Sequence, residues 1–258
     1  MRSIPNRQGN SPMEDFPILY EAQHRNYQED IPFWLDLVAK VGDPVLELGC
    51  GSGRVLIPIQ QTGAVIFGLD RDPGMLMLLR QRQAAPLVCA DMTAIPLHLL
   101  FRLIILPCNT YSTLSANERK CLLNQINRLI HPEGIFGVSL TNPWILRAAA
   151  ESAETEVEEI IAHPSDGYPV QISNAWQRTP EQLIISWHYD HLYPDGTVKR
   201  FTMEQAHDLQ TPQEYESEFK RAGLEAKAKY GDFNQSLFHR SSPYLIYLLQ
   251  KKESLPRA

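Results

Sequence analysis

The feature that most constrains the fold is a short apolar run that leads directly into three alternating glycines. Residues 45–48 read Val-Leu-Glu-Leu, and Gly49, Gly51 and Gly53 follow before a helical pattern begins at Val55. In such a unit, free backbone N–H groups and the helix dipole favour a negative ligand group. Glycine permits the positive φ and the close ligand approach that the turn needs. The segment therefore predicts an α/β fold with a ligand site at a strand end.

Alternation of short apolar runs with helical patterns continues along the chain. Further runs with the length of strands lie at 64–70, 87–91, 101–106, 135–140, 224–230 and 244–249. Asp72-Pro73 is a typical helix start, and Thr211 opens a later helix with capping-box spacing. Near-continuous apolar strands are typical of parallel sheets that are buried on both faces. The pattern predicts a Rossmann-like, doubly wound, mostly parallel sheet of seven strands.

After Pro143 the pattern changes. Residues 144–162 are predicted to be helical and acidic, and residues 168–208 are predicted to be antiparallel strands with a hairpin turn at Pro194-Asp195-Gly196. We therefore expect an antiparallel, β-rich insertion after the fifth strand. The predicted division is a flexible tail at 1–16, N-terminal helices at 17–43, a core at 44–143 and 209–258, and a lid-like insertion at 144–208.

Charge and cysteine content narrow the class of protein. The chain has 24 basic and 30 acidic residues, a net charge of −6, so it lacks the footprint of tight nucleic-acid or anionic-membrane binding. The four cysteines form no C-x-x-C pair, so neither a disulfide scaffold nor a structural metal site is expected. No apolar run reaches about 18 residues, and the N-terminus lacks a signal-like apolar segment. These features predict a cytoplasmic protein.

The glycine spacing separates two kinds of cofactor. A dinucleotide fingerprint would need glycine at positions 49, 51 and 54, but position 54 is arginine. The pattern is Glu-x-Gly-x-Gly-x-Gly, with Glu47 two residues before the first glycine. It closely resembles motif I of the class I S-adenosylmethionine-dependent methyltransferases. The resemblance implies S-adenosyl-L-methionine as the cofactor.

Further matches to this family follow in register. Asp70 ends the second strand, where the family places the acid that holds the ribose hydroxyls, and Asp91-Met92 ends the third, where the adenine is contacted. Residues 101–109 match the fourth strand, whose end faces the transferred methyl group. The resemblance implies that the cofactor is bound by Tyr20, Tyr27, Glu47, Gly49, Cys50, Gly51, Gly53, Arg54, Asp70, Arg71, Met75, Asp91, Met92 and Leu106.

Tyr20 and Tyr27 belong to a region that similar small-molecule methyltransferases use to close over the cofactor. Being seven residues apart, the two side chains are expected on one face of one helix. Tyr20 and Asn109, at the end of the fourth strand, are the predicted catalytic residues. Methyl transfer from a sulfonium chiefly needs alignment of the reactants, so the sequence identifies no general base.

The predicted function is transfer of a methyl group from S-adenosylmethionine to a nitrogen or oxygen atom of a small molecule. A nicotinamide-dependent oxidoreductase and a non-catalytic S-adenosylmethionine-binding protein stay open as alternatives. In the insertion, Trp176, Trp187, Tyr189 and Tyr193 either line the acceptor pocket, with His188 and Arg200 nearby, or form the insertion's own core or a homodimer contact. His188 and His191 alternate along a strand, so they are not expected to share a metal.

Overall fold

The computed structural model describes residues 16–82 and 85–252. The predicted tail at 1–16 therefore lies outside the described residues, apart from Phe16. The strands that form one sheet are β1 (Val45–Leu48), β2 (Ile66–Asp70), β3 (Leu87–Cys89), β4 (Phe101–Leu106), β5 (Ile130–Thr141), β10 (Leu224–Tyr230) and β11 (Tyr244–Lys251). A second sheet contains β6 (Ser152–Ala162), β7 (Pro169–Arg178), β8 (Gln182–Leu192) and β9 (Val198–Asp208).

Helices cover the first sheet and connect its strands. They are α1 (Phe16–His24), α2 (Ile31–Val41), α3 (Leu56–Gln61), α4 (Pro73–Arg80), α5 (Ala116–Leu129), α6 (Pro143–Ala148) and α7 (Pro212–Arg221), with a 3-10 turn at Thr110–Thr113. Asp72 caps α4 and Thr211 forms a capping box at the start of α7, as the sequence predicts. Each cap satisfies backbone N–H groups that a helix start leaves without partners.

The seven-stranded sheet has the order β10-β11-β5-β4-β1-β2-β3. All its neighbours pair in parallel except β11, which runs antiparallel to β5 and β10. Strand β1 is buried at every position and separates two apolar clusters, one on each face of the sheet. The predicted Rossmann-like, mostly parallel fold is confirmed. Its consequence is that the carboxyl ends of β1, β2, β3 and β4 meet at one edge, where doubly wound folds bind ligands.

The second sheet is antiparallel throughout, in the order β6-β7-β8-β9, and follows strand five as expected. The prediction of a helix over 144–162 was wrong beyond residue 148, because the acidic stretch forms the edge strand β6. Glutamate favours helices, but β-branched Val157, Ile160 and Ile161 and the ladder to β7 favour a strand. Charged side chains also protect an exposed sheet edge.

Two smaller expectations are corrected as well. The fifth strand, expected at 135–140, begins earlier, because β5 also contains Pro132-Glu133-Gly134 at an irregular register with β4. A Cβ on Gly134 would lie 2.9 Å from the carbonyl oxygen of Arg102, so the glycine allows close backbone approach. The expected single helix through Tyr20 and Tyr27 does not form, because α1 ends at His24 and Tyr27 lies in the connection to α2.

Helix α1 packs between α4 and the insertion. Leu19 packs with Val170, Ile172 and Tyr189 in a third apolar cluster, and Tyr189 donates a hydrogen bond to Gln23 Oε1 at 2.6 Å. The insertion and α1 thus share one small core next to the sheet edge. Among the described helices, none is long and apolar enough to cross a membrane.

Candidate active site

A cavity of about 730 Å³ lies at the carboxyl edge of the seven-stranded sheet. Its floor comes from the ends of β1 to β3 and the loop after β4, and its other walls come from α1 and residues 203–206 of β9. The volume is within the range of about 300–1,000 Å³ that is usual for small-molecule sites. The predicted site residues that line it are Tyr20, Glu47, Gly49, Cys50, Gly51, Gly53, Arg54, Asp70, Arg71, Met75, Asp91 and Met92.

The glycine turn after β1 combines two different constraints. Gly49, Gly51 and Gly53 have φ angles of +64°, +52° and +92°. A Cβ on Gly51 would meet nothing within 4 Å, whereas a Cβ on Gly53 would lie 2.2 Å from Leu79 Cδ1. Gly51 therefore leaves room on the cavity side, and Gly53 permits close packing of the turn on α4.

Asp70 braces this turn from the end of β2. Its Oδ2 accepts a hydrogen bond from the Gly51 N–H at 2.8 Å, and its Oδ1 accepts one from the Asp72 N–H at 2.9 Å. A carboxylate offers about four acceptor sites. Each Asp70 oxygen therefore retains acceptor capacity for a donor in the cavity, such as a sugar hydroxyl.

Glu47 is the most unusual group in the cavity wall. The residue is only 3% exposed, and its Oε2 is buried without a hydrogen-bond partner. Burial raises the pKa of Glu47 well above its usual range, and the nearby Arg54 only partly offsets this. Because an unpaired buried carboxyl group is costly, the arrangement suits a ligand that brings a positive group.

At the end of β3, Asp91 accepts hydrogen bonds from the N–H and the hydroxyl of Thr93, at 2.7 and 2.6 Å. These bonds lower the pKa of Asp91. Met92 lies beside it on the cavity wall, and Arg71 and Met75 complete this side. The side offers a fixed acceptor next to apolar surface, which is the combination that an adenine ring needs.

Helix α1 contributes Tyr20 and, one turn later, His24. Their rings stack at 4.0 Å, and both residues line the cavity. His24 Nδ1 lies 2.9 Å from the Tyr20 carbonyl oxygen, which can only accept, so Nδ1 carries a proton. Neutral His24 consequently has its lone pair on Nε2. Burial lowers the pKa of His24, which favours this neutral form. The sequence prediction overlooked His24, although its spacing from Tyr20 was a signal.

Tyr27 is predicted to bind the cofactor, but it does not line the cavity. The guanidinium of Arg54 lies 4.9 Å from the centre of its ring and donates to its carbonyl oxygen at 3.0 Å. The same guanidinium forms a two-pronged ion pair with the buried Asp30, at 2.5 and 2.8 Å. Arg54 and Tyr27 therefore connect the glycine turn to the segment before α2, because the helix that would have carried Tyr27 ends too early.

The end of β4 also differs from expectation. Neither Leu106 nor Asn109 lines the cavity, since Leu106 is fully buried in the sheet and Asn109 binds neighbouring backbone and side-chain groups. Asn109 has a φ of +61°, its N–H donates to Ser139, and its carbonyl oxygen accepts from Ser112. The structure places Cys108 on the wall in its stead, with Sγ 2.7 Å from Arg54 Nη2.

Cys108 is a protonated thiol at neutral pH. Cys108 is exposed on the cavity wall, but the protein atoms packed around its thiol raise the pKa to about 11, against the opposing effect of Arg54. A thiolate is the nucleophilic form of cysteine. Cys108 therefore forms part of the wall and is not suited to act as a nucleophile.

The insertion reaches the cavity through β9 alone. Residues 203–206 line it, whereas the predicted Trp176, Trp187, Tyr189 and Tyr193 do not, and neither do His188 and Arg200. Tyr189 packs into the core shared with α1, and Trp187 packs against that core. Two of the four aromatic side chains therefore belong to the core that the insertion shares with α1, whereas Trp176 and Tyr193 lie outside both that core and the cavity wall.

A buried arginine fixes the end of β9 beside the cavity. Arg119 of α5 is 0% exposed and donates to Asp208 Oδ2 at 2.8 Å. It also donates to both carboxylate oxygens of Glu218, at 2.9 and 3.0 Å. One residue earlier than Asp208, His207 lies 2.9 Å from the Ser112 hydroxyl. These contacts join α5, α7 and the insertion, and a lone arginine in an amphipathic helix gave no sequence signal for them.

Comparisons with known proteins agree with this geometry. Residues 45–134 match a family model described as a methyltransferase domain. No curated protein matches the chain by sequence.

Several solved structures share the fold. A S-adenosylmethionine-dependent methyltransferase from Clostridium acetobutylicum is 15% identical, with a TM-score of 0.79 over 94% of this chain and 100% of that one. The CcbJ methyltransferase from Streptomyces caelestis is 24% identical, with a TM-score of 0.74 over 90% and 96% of the two chains. The sugar N-methyltransferase KedS8 from a Streptoalloteichus species is 16% identical, with a TM-score of 0.73 over 98% and 97%.

Proposed function

We propose that this chain, which has a methyltransferase domain and the fold of the class I S-adenosylmethionine-dependent methyltransferases, methylates an amine nitrogen of a small polar molecule such as an amino sugar. The observation that carries the cofactor assignment is the buried, unpartnered Glu47 oxygen in a cavity wall that also contains the open Gly51 position. A carboxyl group in this setting fits a cation, and the open turn admits a ligand close to the backbone.

The residues of the cavity fit each part of S-adenosylmethionine. Glu47 would hold the ammonium group of its methionine portion, and Asp70 would accept the ribose hydroxyls with its remaining lone pairs. Asp91 and Met92 would contact the adenine. When bound, the cofactor supplies a methyl group already activated on a sulfonium. The protein's task is then to align the acceptor and to exclude water, which can contribute about 7–11 kcal/mol.

The acceptor would occupy the part of the cavity between α1 and β9. Charged groups there include Glu21 and Glu204, and polar Gln205 lies beside them. Glu21 is already paired with Arg82 at 2.5 Å, whereas Glu204 is exposed and has only a 3.5 Å contact from Ser186. Glu204 could therefore attract a cationic amine. The similar KedS8 is named as a sugar N-methyltransferase, which supports nitrogen over oxygen.

His24 would accept the proton that the amine loses on methylation. Its Nδ1 is committed to the Tyr20 carbonyl, so Nε2 is the basic atom, and its ring forms part of the cavity wall. The charged groups that influence it are Arg54 of the glycine turn and Glu158 of β6. Stacking on Tyr20 fixes the ring plane. Tyr20 would position His24 and close the cavity over the cofactor.

The insertion would act as the acceptor-side wall, not as a cofactor site. Only residues 203–206 of it reach the cavity, and Arg119 anchors the adjoining Asp208. A nicotinamide-dependent oxidoreductase is disfavoured because Arg54 replaces the third glycine of the dinucleotide fingerprint and is fixed by Asp30.

Two measurements test the proposal in order. First, thermal unfolding is compared with S-adenosylhomocysteine, NAD and NADP, and only S-adenosylhomocysteine should raise the Tm. Second, transfer of labelled methyl from S-adenosylmethionine is measured with amino sugars and with the same sugars N-acetylated. We expect transfer only to free amines. A Tm rise with NAD alone would contradict the cofactor assignment, and transfer to the N-acetylated sugars would contradict the amine assignment.

A further inference from the structure

Two histidines and an aspartate meet at one end of the insertion, away from the cavity wall. His163 and Asp166 lie in the turn between β6 and β7, and His191 lies near the end of β8. Their candidate ligand atoms all lie within 4.8 Å of one another. Within residues 16–82 and 85–252, no other group of three such side chains comes together in this way.

The distances suit a small tetrahedral ion. His191 Nε2 lies 3.2 Å from Asp166 Oδ1, and His163 Nδ1 lies 3.6 Å from the same oxygen. Zinc bonds of about 2.0–2.2 Å at tetrahedral angles place neighbouring ligand atoms about 3.3–3.6 Å apart. The two imidazole rings are stacked at 4.2 Å and nearly parallel, so binding requires them to tilt towards Asp166.

The pleat of β8 explains why His191 belongs to this group and His188 does not. Side chains three residues apart on a strand lie on opposite faces. His188 accordingly contacts Thr202 on the neighbouring strand at 2.8 Å, while His191 meets the turn at 163–168. The sequence argument against a metal shared by His188 and His191 was sound, but it could not reveal a partner from a distant turn.

Burial leaves one side of the group open to solvent. His163 and His191 are 5% and 9% exposed, whereas the Asp166 side chain is 35% exposed. The two histidines are buried and the carboxylate is accessible, so a water molecule can reach the site as a fourth ligand. Three protein ligands and one water form the open type of zinc site, in contrast to structural sites that are closed by four protein ligands.

Neighbouring groups hold the three side chains in place. The Tyr193 hydroxyl lies 3.0 Å from His191 Nδ1, the ring nitrogen that does not face Asp166. Metal-binding histidines usually have their second nitrogen fixed in this way. The N–H of Ser165 donates to His163 Nδ1 at 3.2 Å, and the N–H of Tyr168 donates to Asp166 Oδ1 at 3.0 Å. The long Ser165 bond would be given up to the metal.

We propose that His163, Asp166 and His191 form a binding site for a divalent transition metal, with Zn²⁺ as the ion that best fits two nitrogens and one oxygen. The metal would join the β6–β7 turn to the end of β8 and so stiffen the insertion. The site lies away from the cavity wall, and metal binding is independent of the methyl transfer proposed above.

The test uses the full chain, stripped of metals with a chelator and titrated with Zn²⁺ alone in a calorimeter. One zinc ion should bind per chain and raise the Tm, and Co²⁺ in its place should give the visible absorption of tetrahedral coordination. Asp166→Asn and His191→Gln should abolish binding. Tyr193→Phe should weaken the affinity about 10–100-fold, because it removes the contact to the second nitrogen of His191.

His188→Gln is the matched control, since it changes a histidine on the same strand that faces the other side. Its zinc affinity should equal that of the unaltered protein. Asp166 is partly exposed, so Asp166→Asn should fold normally, which circular dichroism checks. The proposal is overturned if the unaltered chain binds no zinc, since the three side chains are then an ordinary ion pair with shared protons. It is also overturned if zinc binding persists in Asp166→Asn and His191→Gln, since the cysteines would then hold the ion.

Discussion

The two sheets of this protein contribute to the cavity in different ways. The seven-stranded sheet presents many strand ends to it, and it supplies Glu47, Asp70 and Asp91. The four-stranded sheet contributes residues 203–206 only, and it shares a small core with α1, which carries Tyr20 and His24. Under the proposed function, this difference corresponds to a division of roles, in which the parallel sheet would bind the cofactor and the insertion with α1 would contact the acceptor.

We expect the largest effect on activity from a substitution of His24, on the acceptor side of the cavity. His24→Gln should lower kcat about 10²–10⁴-fold, the usual range for loss of a general base, and leave S-adenosylhomocysteine affinity unchanged. The kcat of the unaltered enzyme should rise with pH through a pKa below the usual value of about 6.5, because burial favours neutral His24. This acidic limb should disappear in the variant.

The control for His24 is His98→Gln, which changes an exposed histidine outside the cavity wall. Its pH profile should match that of the unaltered enzyme. An acidic limb that persists in His24→Gln would show that another group accepts the proton.

Substitutions of Gly53 and Gly51, in the same turn, distinguish an effect on stability from an effect on cofactor binding. Gly53→Ala should destabilise the protein by about 1–3 kcal/mol or more, because its Cβ would overlap Leu79. Gly51→Ala should cost about 1–2 kcal/mol through its positive φ alone. Its Cβ would enter the cavity and weaken S-adenosylhomocysteine binding strongly. Chemical unfolding and calorimetry measure the two effects, and normal binding by folded Gly51→Ala would exclude this turn as the cofactor site.

At Asp70 we expect a smaller loss, confined to cofactor binding. Asp70→Ala should weaken S-adenosylhomocysteine at least about tenfold, since hydrogen bonds to a charged group contribute about 1.5–3 kcal/mol. Asp232→Ala is a suitable control, because Asp232 also accepts backbone N–H bonds, from Asn234 and Ser236, but lies outside the cavity wall. Equal affinities in the two variants would refute the role of Asp70.

Glu47→Gln should weaken cofactor binding and yet stabilise the free protein at neutral pH. The folded-state pKa of Glu47 is raised by burial, so stability is lost as pH rises from the unfolded value of about 4.3 through the folded one. The glutamine variant avoids this loss. Its free energy of unfolding should exceed that of the unaltered protein by about 1 kcal/mol or more at pH 7 and should equal it near pH 4. Urea unfolding at both pH values measures the gain. A variant less stable at pH 7 would show that Glu47 is satisfied in the free protein.

The same division explains what the sequence could reveal. Parallel strands that are buried on both faces appear in the sequence as continuous apolar runs, and a glycine turn appears as regularly spaced glycines. The sheet and the cavity residues between Gly49 and Asp91 could therefore be predicted. Helix α1 has no such pattern, because its place depends on contacts with α4 and with a distant insertion. His24 and the end of Tyr20's helix were therefore missed.

In the insertion, the helix preference of the local sequence was overridden by strand pairing. Glutamate-rich β6 was predicted as a helix, since nothing in its own sequence shows that β7 will pair with it. The ion pairs of the buried Arg119 likewise depend on Asp208 and Glu218, which come from remote elements. The hydrophobic periodicity of α5 could not predict these ion pairs.

The most direct test of the division is the calorimetric affinity for S-adenosylhomocysteine of a variant with both Glu204→Ala and Gln205→Ala, the polar residues that β9 places in the cavity. We expect an affinity within about twofold of that of the unaltered protein, because substitutions away from a contact change free energies by no more than about 0.5 kcal/mol. A loss as large as that of Asp70→Ala would contradict it, because β9 would then be part of the cofactor site.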